Sequence, residues 1–113
     1  MNIRAESYPT FDIDSREWWV NEDFSVDPPR IVKEPISKLP RKLTIRIDYP
    51  VNRSVEFTRE DDWTWLKFAN FVADCYEEVY KNPDNIWGHE IGQLVLEGGA
   101  YHRGAVWIPM IGS

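Results

Sequence analysis

The stretch NIWGHEIGQLVLEGG, residues 85–99, contains the side chains best suited to do chemistry in this sequence. Imidazole and carboxylate groups are common metal ligands and proton-transfer groups in proteins. His89 and Glu90 are adjacent, so in an extended segment they point to opposite sides and cannot both bind one ion. A metal site would require the loops around His89, Glu97 and His102 to converge, and no pattern indicates that they do. We therefore predict no metal site.

The same stretch also fits a structural connection. Pro83 ends a preceding helix, Gly88 and Gly92 allow a positive φ, and Trp87 and Ile91 anchor the connection to the core. Loops often carry binding residues, so the alternative is a small-molecule or metal site, with or without enzymatic activity, in a cleft between the helix and the 82–104 loops. Its candidate residues are Trp87, His89, Glu90, Glu97 and His102.

Nucleophilic catalysis would depend on Cys75, the only cysteine. Reactive thiolates lie at helix N-termini or beside cations, whereas Cys75 falls in the middle of a helix, on its apolar side and next to Asp74. We therefore predict a buried structural thiol. The sequence contains no GxSxG, HExxH, GxGxxG or Walker-type motif, and the neighbours Glu77 and Glu78 suit a solvated helix face. We predict no catalytic residue and no cofactor, and favour a non-enzymatic role.

The charge balance restricts the class of partner. Thirteen Lys and Arg against nineteen Asp and Glu give a formal charge of −6, which disfavours binding to a nucleic acid backbone. A single cysteine excludes an intramolecular disulfide. The first residues lack the apolar core of a signal peptide, and no apolar run approaches the roughly 18 residues of a membrane span. We expect a cytoplasmic or otherwise intracellular protein that does not bind membranes.

Aromatic side chains are abundant, with six Trp, five Tyr and five Phe. Trp18 and Trp19 lie on a charged, proline-bounded segment that can hardly bury both rings by itself. They fold back over the helix, contact a partner, where Trp is a preferred anchor, or form a platform for a sugar or another small ligand. We predict a small acidic interaction or assembly protein, an adaptor, inhibitor or structural subunit, that binds a protein or a second copy of itself. The predicted partner-binding residues are Trp18, Trp19, Phe24 and Trp63.

Alternating patterns identify the elements that position these groups. KLTIRID and SVEFT each alternate apolar and polar residues, which predicts an antiparallel hairpin. Thr58, three residues before Asp61, predicts the start of a helix that continues to Asn82-Pro83. Its apolar residues cover an arc of roughly 220°, wider than the roughly 100° of a helix that packs on one side only. The N-terminal arm or another chain must therefore cover part of it.

The last part of the chain predicts two more strands. QLVLE places Leu94 and Leu96 on one face, GGAYHRG supplies turn residues, and AVWIPMI forms the final strand. Because Pro109 lacks a backbone donor, this final strand is expected at a sheet edge or to finish near the proline.

These elements define the predicted organisation. Five prolines punctuate the first part of the chain, so residues 1–41 should form an extended aromatic- and proline-rich arm or strap. Within it, residues 15–26 fit either a strand or a helical turn. Residues 42–113 should form an α+β domain, a mainly antiparallel sheet of about four strands in ββαββ order packed on one long helix.

Overall fold

The computed structural model of the protein describes residues 2–4, 10–20, 23–26 and 39–113. These residues form an α+β fold with one α-helix and eight strands in a single sheet. The helix α1 spans Trp65–Val79, and two 3-10 turns span Pro83–Asn85 and Ile91–Gln93. The strands are β1 (Asn2–Arg4), β2 (Thr10–Asp12), β3 (Trp18–Val20), β4 (Asp23–Val26), β5 (Lys42–Ile47), β6 (Val55–Glu60), β7 (Val95–Arg103) and β8 (Val106–Gly112).

The sheet has the order β4-β3-β2-β7-β8-β5-β6, and β1 also pairs with β7. Strands β5 and β8 pair in parallel, whereas every other described pair is antiparallel. The predicted α+β class and the ββαββ order of the second part are confirmed. The sheet has more than the predicted four strands, because residues 2–26 contribute four short ones. Residues 27–38 of the predicted proline-rich strap lie outside the described part of the chain.

The segment for which the sequence allowed two interpretations forms strands. Asp12 starts a tight turn, because its Oδ1 accepts hydrogen bonds from the backbone N–H groups of Asp14 and Ser15. Strand β3 then returns antiparallel to β2. The rings of Phe11 and Trp18 pack against each other with centroids 4.7 Å apart, and both side chains are buried. This hairpin thus adds to the core as well as to the sheet.

The predicted hairpin of β5 and β6 is confirmed. The six residue pairs from Lys42↔Glu60 to Ile47↔Val55 are in continuous register. The inward residues of β5, Leu43, Ile45 and Ile47, have no solvent exposure. This alternation places one face of the hairpin against α1 and the other face away from it.

The helix begins later than the sequence pattern predicted. Strand β6 continues to Glu60 because its pairing with β5 continues, so Thr58 is a strand residue whose Oγ1 lies 2.7 Å from the Oγ1 of Thr44. The N-cap is Thr64, and its hydroxyl oxygen accepts a hydrogen bond from the Lys67 N–H. The predicted start at Thr58 was therefore wrong, since pairing between strands overrides a local capping pattern.

The broad apolar arc of the helix is covered by the chain itself. Nine of the fifteen helical residues are buried. Arg16, in the turn before β3, and Arg59, on β6, both bind the Asp74 carboxylate, at 2.7 and 2.9 Å. Because these arginines come from distant strands of the sheet order, the sheet must curve around α1. Partial burial alone would raise the pKa of Asp74, but the hydrogen bonds from Arg16 and Arg59 outweigh it and the pKa is lowered.

Strand β7 is longer than predicted. GGAYHRG was expected to form a turn, but the chain stays extended to Arg103 because β1 and β8 pair with it on both sides. The two glycines fall where the register with β8 shifts between Leu96 and Ala100. The turn consists of Gly104 and Ala105 only, and Gly104 has a φ of 60°, as the first position of a type II′ turn requires.

The predicted edge position of the last strand was also wrong, since β8 lies between β7 and β5. After the two-residue turn, Arg103 and Val106 form a hydrogen-bonded pair, and alternation makes Ala100↔Pro109 a pair without ladder hydrogen bonds. No hydrogen bond to β7 is therefore lost because Pro109 lacks a backbone N–H. On the other side, β8 pairs with β5 only at Ile45↔Trp107. These two conditions allow a proline inside the sheet.

Candidate functional site

Trp87 differs from the other large apolar side chains. Among the residues whose burial the structure describes, it is the only exposed one, with 45% of its surface accessible. It lies in the connection between α1 and β7, two residues after the first 3-10 turn. An exposed Trp on an otherwise well-buried fold identifies the surface around it as the candidate site.

Trp87 is held by a second loop, residues 48–54, which connects β5 to β6. The Trp87 backbone N–H donates to the Pro50 carbonyl at 3.1 Å, and its indole Nε1–H donates to the Val51 carbonyl at 3.2 Å. Val51 also forms a β-bridge with Ile86. We call residues 48–54 and 82–89 together the two-loop platform.

Asn85 ties the two loops of the platform together. Its Oδ1 accepts a hydrogen bond from the Arg53 N–H at 2.8 Å, and its Nδ2 donates to the Arg53 carbonyl at 2.9 Å. Its own carbonyl accepts from the Asn52 N–H at 2.9 Å. Asn85 is buried, and its side-chain amide pairs with both backbone groups of Arg53, as the backbone of a neighbouring strand would. The platform is therefore a connected unit and does not consist of two independent loops.

The platform rests on the helix through aromatic residues. The Tyr76 hydroxyl of α1 donates to the Tyr49 carbonyl at 2.6 Å, and burial raises the pKa of this hydroxyl. The Tyr49 ring meets the Trp87 ring edge-on, with centroids 5.3 Å apart, and lies 5.6 Å from the His89 ring. One edge of the Trp87 indole is thus fixed while part of its ring stays accessible to solvent.

An open groove of about 740 Å³ adjoins the platform at the C-terminal end of α1. Its apolar part includes Tyr80, whose hydroxyl donates to the His89 carbonyl at 3.0 Å. The last turn of the helix has no basic residue, and Lys81, two residues after the helix ends, pairs with Glu78. Glu90 adds a carboxylate to the rim. The lining residues are Tyr80, Pro83, Ile86, Gly88, His89, Glu90, Ile91 and Gln93.

The structure separates the five residues of the predicted ligand site. His89 and Glu90 line the groove, and Trp87 stands next to it with its ring 6.1 Å from that of His89. His102 lies elsewhere, with its ring 4.9 Å from that of Trp107, and Glu97 lies on β7. Within the described ranges, no group of three or more His, Cys, Asp or Glu residues is placed to hold a metal ion.

The residues predicted to bind a partner occupy different surroundings. Trp18 and Trp63 are both 4% exposed. The Trp63 ring stacks on Phe71 with centroids 5.3 Å apart. Both rings therefore belong to the core and offer almost no surface to a partner. The side chains of Trp19 and Phe24 lie outside what the structure describes.

The predicted burial of Cys75 is confirmed. Cys75 is 2% exposed, and burial raises the pKa of its thiol to about 12. At neutral pH the nucleophilic thiolate is therefore almost absent.

Loop 48–54 and Asn85 were missed by sequence reasoning. The segments YPVNRS and NPDN show turn residues, and each predicts a loop. The site is formed by the contact between these two loops, which are about thirty positions apart in the sequence. A buried Asn within a turn-rich segment is the one local signal, but its burial becomes visible only in three dimensions.

Comparison with known proteins leaves the site to be interpreted from its geometry. No protein-family model matches the chain, and neither the curated proteins nor the solved structures include a match. In the part of the chain that the structure describes, no helix combines the length and the apolar character needed to cross a bilayer.

Proposed function

We propose that this protein is a protein–protein interaction or assembly module that binds its partner through the two-loop platform, with Trp87 as the anchor. The exposed Trp87 ring is the observation that carries this proposal. Trp is among the residues that most often dominate interface energetics, and such anchors are usually surrounded by groups that exclude water. The adaptor, inhibitor and structural-subunit roles all require such a contact surface.

The hydrogen bonds of the platform support this role. Anchors that are fixed before binding lose little conformational entropy when a complex forms, which favours affinity. The backbone and indole N–H groups of Trp87 are both held by loop 48–54, and Asn85 holds that loop in turn. A Trp ring on a loop without these hydrogen bonds would lose more conformational entropy on binding.

The charge around the groove favours a basic partner. Asp84 on the platform and Glu90 next to it are exposed, and the helix end adds a negative dipole. The chain as a whole carries a formal charge of −6. Such a field accelerates association with a positively charged surface and is screened by salt. We expect a partner segment with Lys or Arg next to an apolar residue that covers Trp87.

The proposal is tested with Trp87→Ala and a matched control, Lys67→Ala, which removes an exposed side chain near the other end of α1. Partners are captured from lysate of the source cells with wild-type protein, identified by mass spectrometry and purified. Calorimetry then compares the three proteins. Loss of a hot-spot residue costs about 2 kcal/mol or more, so Trp87→Ala should raise Kd at least roughly 30-fold and Lys67→Ala should leave Kd nearly unchanged. Equal affinity of wild type and Trp87→Ala would refute the proposal.

The groove beside the platform supports a second candidate function, small-molecule binding. It combines apolar walls with His89 and Glu90, the composition typical of ligand sites. Intrinsic Trp fluorescence, titrated with panels of metal ions and metabolites, separates the two functions. Saturable quenching that is lost in His89→Ala and retained in His102→Ala would favour the groove as a ligand site. Quenching that both variants retain would exclude His89 from the site.

A further inference from the structure

A second cavity lies where β5 and β8 separate. These strands pair only at Ile45↔Trp107, and Pro109 has no backbone N–H with which to continue the ladder toward β5. A cavity of about 330 Å³ opens beyond this point and extends between the strands to Tyr49 and Tyr76. Its volume is near the lower limit of small-molecule sites, roughly 300 Å³.

The cavity wall has a regular arrangement across three strands. Because Ile45 and Ile47 face the helix, Arg46 between them faces away from it, and Asp48 follows in alternation. Trp107 pairs with Ile45, so the next residues of β8 that face away from the helix are Ile108 and Met110. This apolar pair forms the floor of the cavity.

Strand β7 supplies the opposite wall. Tyr101 pairs with Ile108, and Glu97 lies further along β7, beyond the register shift. Two rows of side chains therefore cross the floor. One row contains Arg46 and Tyr101, and the other contains Asp48 and Glu97. Residues two apart on a strand are separated by about 6.6 Å, which sets the distance between the rows.

The two rows differ in hydrogen-bonding chemistry. Arg46 uses Nε and Nη2 to bind Glu56, at 3.1 and 2.9 Å. Its Nη1 and the Tyr101 hydroxyl make no hydrogen bond to the other described residues, so both remain available as donors. The Glu97 carboxylate likewise has no hydrogen-bonded partner among them. It packs over Gly112, where any side chain would collide with it.

We propose that this cavity binds a small zwitterion whose carboxylate and ammonium groups are separated by a short apolar chain. The carboxylate binds at the row of Arg46 and Tyr101, since guanidinium and hydroxyl groups donate to it. The ammonium binds at the row with Asp48 and Glu97, whose oxygens accept its protons. The connecting chain lies on Ile108 and Met110. This site is independent of the two-loop platform and of the function proposed for it.

The experiment is a titration of isotope-labelled protein followed by amide chemical shifts. The probes are δ-aminovalerate, which carries both charges, and valerate and pentylamine, which each carry one. We expect saturable shifts at β5, β7 and β8, with δ-aminovalerate binding at least roughly tenfold more tightly than either single-charge probe. A tenfold ratio corresponds to about 1.4 kcal/mol.

Two near-isosteric variants locate the contacts. Glu97→Gln should weaken δ-aminovalerate roughly tenfold and leave valerate unchanged, whereas Tyr101→Phe should weaken δ-aminovalerate and valerate. Glu60→Gln is the control, because Glu60 is an exposed carboxylate at the far end of the hairpin. The proposal is overturned if no probe gives saturable shifts, if pentylamine binds as tightly as δ-aminovalerate, or if Glu97→Gln behaves like Glu60→Gln.

Discussion

Replacing Asn85 with alanine tests whether the platform is a connected unit. The substitution removes a buried amide whose two hydrogen bonds to the Arg53 backbone are 2.8 and 2.9 Å long. The backbone of residue 85 and its hydrogen bond from Asn52 remain. The change therefore removes the side-chain link between the loops while leaving the chain path intact.

The expected cost follows from these two bonds. An intramolecular hydrogen bond contributes a net free energy of about 0.5–1.5 kcal/mol, so two contribute about 1–3 kcal/mol. Arg53 is exposed, and water can reach its freed backbone groups, which favours the lower part of this range. We expect a loss of about 1–2 kcal/mol in the free energy of unfolding. With an m-value of about 2 kcal/mol/M in urea, the midpoint falls by roughly 0.5–1 M.

Urea unfolding followed by circular dichroism measures the loss, and Asn52→Ala is the matched control. Asn52 is also a platform asparagine, but its side chain makes one long contact, 3.4 Å from Nδ2 to the Asp84 carbonyl. It should cost less than about 0.5 kcal/mol. Amide hydrogen exchange gives a local readout, because the Arg53 N–H loses its acceptor in Asn85→Ala and should exchange faster. Equal midpoints for the two variants, with unchanged exchange at Arg53, would refute the connected platform.

Three further predictions concern the core and the helix. Thr64→Ala should cost about 1 kcal/mol in urea unfolding because it removes the N-cap, whereas Thr58→Ala should cost only a few tenths; the reverse order would place the helix start at Thr58. Asp74 has a lowered pKa, so its stabilisation is present at neutral pH and is lost as the pH falls below about 4. In Asp74→Asn the urea midpoint should therefore fall less steeply with decreasing pH than in the wild type. The same pH dependence in both proteins would contradict the contact of Asp74 with two arginines. Cys75 should react with a thiol reagent at least about a hundredfold more slowly in native protein than in denaturant; equal rates would contradict its burial.

The fold could be predicted where the pattern of one segment decides the structure. Leu43, Ile45 and Ile47 alternate in the sequence and are buried in the structure, because a hairpin with one covered face needs only neighbouring residues. Prediction from the local pattern failed where pairing with a strand distant in sequence sets the length of an element. Strand β7 extends to Arg103 because β8 pairs with it as far as Arg103↔Val106, while β1 pairs with it from Gly99 to Tyr101. Three-residue strands such as β2 are too short for an alternation signal.

The candidate site could likewise be predicted only in part. Trp87, His89 and Glu90 were identified by residue type, and the structure places them together beside one groove. Glu97 and His102 were grouped with them because they are close in sequence, but β7 carries them away from the 82–93 region. The aromatic count could not distinguish the buried Trp18 from the exposed Trp87, since burial depends on which strands cover each ring.

The curvature of the sheet explains why the candidate interface lies at the end of the helix. Arg16 and Arg59 come from opposite parts of the sheet order and meet at Asp74, so the sheet covers the apolar arc of α1 from both sides. The side of the helix that remains accessible is polar, with Lys67, Glu77 and Glu78 exposed. Among the residues whose burial the structure describes, the exposed large apolar side chain is Trp87, next to the groove at the end of the helix. Under the proposed function, the exposed Asp84 and Glu90 attract a basic partner to this part of the chain, and the exposed Trp87 indole anchors it.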